Sequence, residues 1–95
     1  MIRHIVFFSA KDPQMVETIV TALRRLQEIP DADHLEVVRN AKLDQHSGEI
    51  DVIVYGEFAD AEALARYKAH SLYQQTIAVV RPLRDLRIAV DYQAP

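Results

Sequence analysis

Ninety-five residues suit one domain spanning 1–95, near the lower end of what folds unaided, and the complete lack of cysteine excludes a disulfide framework, a thiolate metal site and a thiol nucleophile. A formal net charge of −3 argues against a general nucleic-acid backbone binder. No apolar run approaches the ~20 residues of a membrane span, so no membrane partner is expected and the chain is taken as cytoplasmic. With Gly48 and Gly56 as its only glycines, it also has no glycine-rich phosphate loop.

The first element is a strand over 2–8, reading IRHIVFF. Side chains alternate along a strand, so His4, Val6 and Phe8 share one face, and Ile5 and Phe7 the other. Both faces are apolar and both need a cover. Asp12-Pro13 then starts a helix over 13–28, with Asp as cap and Pro at the first helical position. Val16, Ile19, Val20, Leu23 and Leu26 form its apolar stripe, and Pro30 ends it.

A polar strand over 34–42 carries Leu35, Val37 and Arg39 on one face, as suits a sheet edge. After a loop, residues 50–58 form a third strand, with Val52, Val54, Gly56 and Phe58 against Ile53 and Tyr55. Asp60 caps a helix running through about residue 70, with Ala61, Leu64, Ala65 and Lys68 as its stripe. Ser71 with Gln74 fits a capping box opening a further helix over 72–81, with Tyr73, Ile77 and Val80 inward. The last strand, 85–92, sets Leu86, Ile88, Val90 and Tyr92 against Arg87, Ala89 and Asp91.

This order predicts an α+β ferredoxin-like fold, βαββαβ, with a four-stranded antiparallel sheet in the order fourth, first, third, second. All helices then cover one sheet face. The other face carries Ile5, Phe7, Ile53, Tyr55, Ile88, Val90 and Tyr92. At ~1.5–3 kcal/mol per buried large apolar side chain, leaving these wet forgoes on the order of ten kcal/mol, the whole stability of a small domain. A homodimer packed sheet to sheet is the expected remedy, forming a dimeric α/β barrel.

Several segments resemble one family. They are the opening MIRHIVFF, Leu35-Glu36-Val37 followed by Arg39-Asn40, Glu57-Phe58, Leu64-x-x-Tyr67-x-x-His70, Val80-Arg81-Pro82-Leu83 and Val90-Asp91-Tyr92. Together, and in this order, they resemble the stress-responsive dimeric α/β barrel (Dabb) family. The resemblance implies a ferredoxin-like protomer and a homodimer, but not one activity. Most bacterial members have no known reaction; plant members include boiling-stable stress proteins and a polyketide cyclase. The wider superfamily holds cofactor-free monooxygenases and haem-degrading enzymes. In the cyclase, the tyrosine at the place of Tyr67 belongs to the active site. Its partner histidine falls where this chain has Tyr73, so that dyad does not carry over intact. The aspartate of the last strand is kept as Asp91.

Tyr67 and His70, three apart on a helix, share a face and can move protons, the imidazole as base and the phenol as donor. His4, with Asp91 as orienting carboxylate, is the alternative base. The expected catalytic set is therefore Tyr67, His70, His4 and Asp91, and the expected ligand-binding set is Val6, Phe8, Val54, Gly56, Leu64, Tyr73 and Arg87. Gly56 is either a bulge or room for a ligand. The four histidines lack metal-ligand spacing, so neither a metal nor a cofactor is expected. Arg81, Arg84 and Arg87 recur every three residues and read as solvated charges at a helix end. Three functions stay open: a homodimer binding an apolar or aromatic small molecule between helices and sheet, a cofactor-free acid–base enzyme acting on a polyketide-like or phenolic carbonyl compound, or a structural stress dimer with no ligand.

Overall fold

The computed structural model describes all residues from Met1 to Pro95. Strand β1 (Ile2–Ala10) leads to helix α1 (Val16–Arg24), then to strands β2 (His34–Arg39) and β3 (Val52–Phe58). Helices α2 (Ala61–Ala69) and α3 (Ser71–Val80) precede strand β4 (Arg84–Gln93). The sheet runs β2-β3-β1-β4, each neighbouring pair antiparallel, which is the ferredoxin-like order expected from the sequence. No helix is long and apolar enough to cross a membrane.

The helix expected over 13–28 is α1 with a 3-10 turn at each end, Pro13–Met15 and Arg25–Glu28. Asp12 caps it as anticipated, its side chain accepting from the Gln14 amide at 2.9 Å. Val16, Ile19, Val20, Leu23 and Leu26 all lie in the core. Ile29 is extended, as a residue before proline must be, and is buried.

Two strands are shorter than expected, and Asn40 is the reason. Its side chain donates to the carbonyls of Ser47 (3.0 Å) and Ile50 (2.8 Å), and its Oδ1 accepts from the Lys42 amide (2.9 Å). These bonds close the loop, so β2 stops at Arg39 and β3 begins at Val52. Arg39 shares the face of Val37 but reaches out to Glu17, its Nη1 donating at 2.8 Å.

The stripe expected on α2 is rotated. Ala63 and Tyr67 are its buried residues, Leu64 is half-buried, and Ala61 and Ala65 are exposed. One fully buried tyrosine removes far more apolar area from water than two alanines, so Tyr67 sets the orientation. The capping box also gives way. His70, not Ser71, caps α3: it is extended (φ −65°, ψ 140°) and its Nδ1 accepts from the Leu72 amide at 3.0 Å. Gln74 instead donates from its side chain to the Lys68 carbonyl at 2.9 Å.

The two faces of β1 divide as expected. His4, Val6 and Phe8 are buried under the helices. On the opposite face Ile5, Phe7, Ile53 and Tyr55 are half-buried, while Ile88, Val90 and Tyr92 are 40–47% exposed. The β1–β4 register slips between Phe8 and Ala10, where Asp85 and Leu86 together oppose Ser9 in a bulge. Strict alternation would turn Arg84 and Arg87 to opposite faces. The extra residue instead sets Arg84 opposite Ala10 and Arg87 opposite Phe8, both on the helix side.

Candidate functional site

The site lies between the sheet and α3, at the β4 edge. Its floor is His4, Val6 and Phe8 from β1 with Val54 from β3. Tyr67, Tyr73 and Ile77 close it from the helices, Leu23 and Leu26 back it, and Arg87 stands at its side. The free space in this slot is about 10 Å³, enough for one water. Phe8, Tyr73, Ile77 and Arg87 also line an adjoining pocket of about 280 Å³, completed by Gln74, Val80, Arg81 and Arg84. A narrow, mostly apolar slot thus continues into a wider, basic mouth.

His4 is held from the edge strand. It pairs with Asp91 in the β1–β4 register, and its Nδ1 lies 2.5 Å from Asp91 Oδ1. His4 is 1% exposed and the Asp91 side chain 41%, so a solvated carboxylate grips a buried imidazole. A carboxylate only accepts, so the His4 proton sits on Nδ1 and Nε2 keeps its lone pair. Burial pulls the His4 pKa below its ordinary value, against the upward pull of Asp91.

Tyr67 is ringed by aromatics. Its ring centroid lies 4.9 Å from Phe58, 5.1 Å from Tyr73 and 6.3 Å from His4, all edge-on. Its hydroxyl makes no hydrogen bond within the chain. Burial pushes the phenol far above the ordinary tyrosine range, the neighbouring Tyr73 adds to this, and Arg87 opposes it. Tyr67 is therefore a proton donor at neutral pH, beside a neutral imidazole.

Of the expected site residues, the structure gathers His4, Tyr67, Val6, Phe8, Val54, Tyr73 and Arg87 around one slot, with Asp91 held to His4 from the solvent side. It does not bring His70 there. Helix α2 ends at Ala69, so the helical spacing that would align His70 with Tyr67 is broken, and its Nδ1 is engaged in the α3 cap. Leu64 packs against the core outside the slot. Gly56 is neither a bulge nor ligand space. Its register with both neighbours is regular, and a Cβ there would meet Leu35 Cδ1 and Phe58 Cε2, each at 2.9 Å. No group of three histidine or carboxylate side chains stands close enough to hold a metal ion.

Sequence reasoning missed the convergence of Arg81, Arg84 and Arg87 on the mouth. Their three-residue spacing was visible, but only the bulge opposite Ser9 turns it into one cluster. None of the three is in an ion pair; the chain's ion pairs lie elsewhere.

A dimeric ferredoxin-like protein of unknown function from Thermobifida fusca superposes with a TM-score of 0.83 at 27% identity, covering 98% of this chain and 90% of that one. A Dabb family protein with a ferredoxin-like fold from Mesorhizobium loti gives 0.80 at 25% identity, covering 99% and 96%. An antibiotic biosynthesis monooxygenase gives 0.77 at 15% identity, covering 100% and 99%, a likeness of fold alone. A comparison with functionally curated proteins finds no match. The family profile of the Stress Responsive A/B Barrel Domain matches residues 2–94, from the strand that carries His4 to the end of the strand that carries Asp91. The chain belongs to the stress-responsive α/β barrel (Dabb) family.

Proposed function

We propose that this protein is a homodimer whose protomers each bind an apolar or aromatic small molecule between α3 and the sheet. One observation carries the ligand reading: the apolar slot ends on His4 and Tyr67, two polar groups with hydrogen-bonding capacity to spare, and opens into a pocket of about 280 Å³. Apolar walls with a few convergent polar groups are the usual make-up of a small-molecule site. The test is native mass spectrometry of protein from its own host, beside an Ile77→Trp variant whose larger side chain takes up space in the mouth that Ile77 lines. A small molecule retained by the wild type and lost from the variant supports the reading. Two bare spectra, with no tyrosine ring shifts on titration with phenolic compounds, would remove it.

The dimer reading is supported by the exposed apolar sheet face and by the dimeric state of the Thermobifida fusca protein. Sedimentation as a monomer at micromolar concentration would overturn it.

The His4–Asp91 pair beside Tyr67 favours a second reading, acid–base catalysis without a cofactor. His4 Nε2 would take a proton from a carbon acid next to a carbonyl, with Asp91 steadying the imidazolium. Tyr67 would donate to the developing oxyanion. Turnover of an activated phenolic or polyketide-like carbonyl compound that Tyr67→Phe abolishes would establish it. Equal turnover by the two proteins would exclude Tyr67 from the chemistry.

A further inference from the structure

We infer that the molecule this site takes is an organic anion, its apolar body packed in the mouth against Phe8, Tyr73, Ile77 and Val80, and its charged group seated among Arg81, Arg84 and Arg87. The inference rests on the small-molecule reading above and adds the chemical class. Three guanidinium groups line one pocket of about 280 Å³, and no carboxylate lines it with them. The chain as a whole is acidic, with 14 Asp and Glu against 11 Lys and Arg. The ion pairs that Arg and Lys make lie elsewhere, Arg66 with Asp31, Arg39 with Glu17 and Lys42 with Asp51. Arg84 has only a 3.3 Å contact from its Nη1 to the neighbouring Asp85 carbonyl.

Gathering three like charges without a counter-charge is unfavourable, and the fold does it by a specific device. The terminus of α3 favours one cation, which accounts for Arg81 alone. Arg84 and Arg87 share the helix side only because of the bulge opposite Ser9. A bulge that re-aims a side chain is found preferentially beside binding sites. Guanidinium forks match carboxylate and phosphate oxygens alike, so the shared chemistry is an anionic head on an apolar tail. Arg87 lines the mouth together with Phe8, Tyr73 and Ile77, which places head and tail in contact.

The test is an NMR titration with trans-cinnamate, phenyl phosphate, cinnamyl alcohol and inorganic phosphate, reading the Tyr67 and Tyr73 rings and the arginine Nε–H signals. The wild type should bind cinnamate or phenyl phosphate about tenfold more tightly than cinnamyl alcohol, and the better of the two identifies the head group. Arg84→Gln and Arg87→Gln should each remove most of that advantage, weakening the anion far more than the alcohol, while Arg87→Lys restores part of it. Thermal melts of the variants check that they fold. Equal binding of cinnamate and alcohol overturns the anion inference and leaves the small-molecule reading standing. If no organic probe moves the tyrosine rings, both fall, whether or not inorganic phosphate moves the arginines.

Discussion

His4 Nδ1 and Asp91 Oδ1 meet at 2.5 Å across the β1–β4 ladder, one residue sealed under the helices and the other at the solvent edge of the sheet. The pairing follows from register alone, since the two residues stand directly opposite each other. It gives an interior imidazole a fixed proton and a free lone pair, while the burial of that imidazole makes the protein sensitive to acid.

Burial sets the His4 pKa in the folded state below its unfolded value of about 6.5. Protonation therefore favours the unfolded chain. The stability contributed by neutral His4 is complete above about pH 6.5 and is lost as pH falls from there towards the folded value. Thermal melts between pH 8 and 4.5 should show the decline beginning near 6.5. Asp91→Asn removes the upward pull on His4 and should make it steeper. An unchanged profile in Asp91→Asn would show that the pair does not govern it.

Tyr67 should show the mirror image. Its folded pKa lies above the unfolded value of about 10, so its contribution holds below pH 10 and disappears as pH rises beyond it. In an alkaline absorbance titration it should ionise only with unfolding. Tyr67→Phe should melt within about 1 kcal/mol of the wild type at pH 7 while losing part of the alkaline decline. Tyr67→Ala should cost about 3–5 kcal/mol, since it empties the middle of the aromatic cluster.

His70→Ala should cost about 0.5–2 kcal/mol through the lost α3 cap. His70→Asn, which can still accept from the Leu72 amide, should recover most of it. Ligand affinity should be the same in all three proteins. A fall in affinity without a fall in stability would return His70 to the site.

Gly56→Ala should destabilise by about 1–3 kcal/mol despite the better strand propensity of alanine. The new methyl meets the buried Phe58 ring and the Leu35 methyl, and the ring has nowhere to move. Adding Leu35→Val should recover part of the loss by relieving one of the two contacts. Full recovery, or no initial loss, in denaturant melts would show that β3 shifts to accommodate it.

Ile88→Glu and Val90→Glu should weaken the dimer at least about tenfold while leaving the protomer folded. Sedimentation equilibrium with circular dichroism reads both properties. Dimers of undiminished strength would exclude this sheet face as the interface.

Much of this was legible from residues. The two-sided apolar pattern of residues 2–8 located the central strand and assigned His4 to the helix side. Asp12-Pro13 and Pro30 bounded α1. Period-two alternation in the last strand correctly set Asp91 with His4. What failed, failed for local reasons. Alternation has no way to register the extra residue opposite Ser9, so the three arginines read as solvated charges at a helix end, with only Arg87 assigned to the pocket. The Ser71–Gln74 spacing fits a capping box, yet His70 is one residue earlier and has an acceptor of its own. The alanines of α2 form a tidy stripe by periodicity, but the area of one tyrosine outweighs them. Gly56 looked like space for a ligand because a sequence cannot show that the rings and methyls of its neighbours already fill it.

The bulge also makes this end of β4 tolerant of a change in length. Removing one residue from the Asp85-Leu86 pair would return β4 to strict alternation and still leave Arg84 opposite Ala10, two positions from Arg87 and on the same side of the sheet. Residues from Arg87 onward would keep their partners on β1. A single-residue deletion at this point would therefore spare both the arginine cluster and the His4–Asp91 pair, whereas pairing both residues in strict alternation would turn Arg84 to the opposite face.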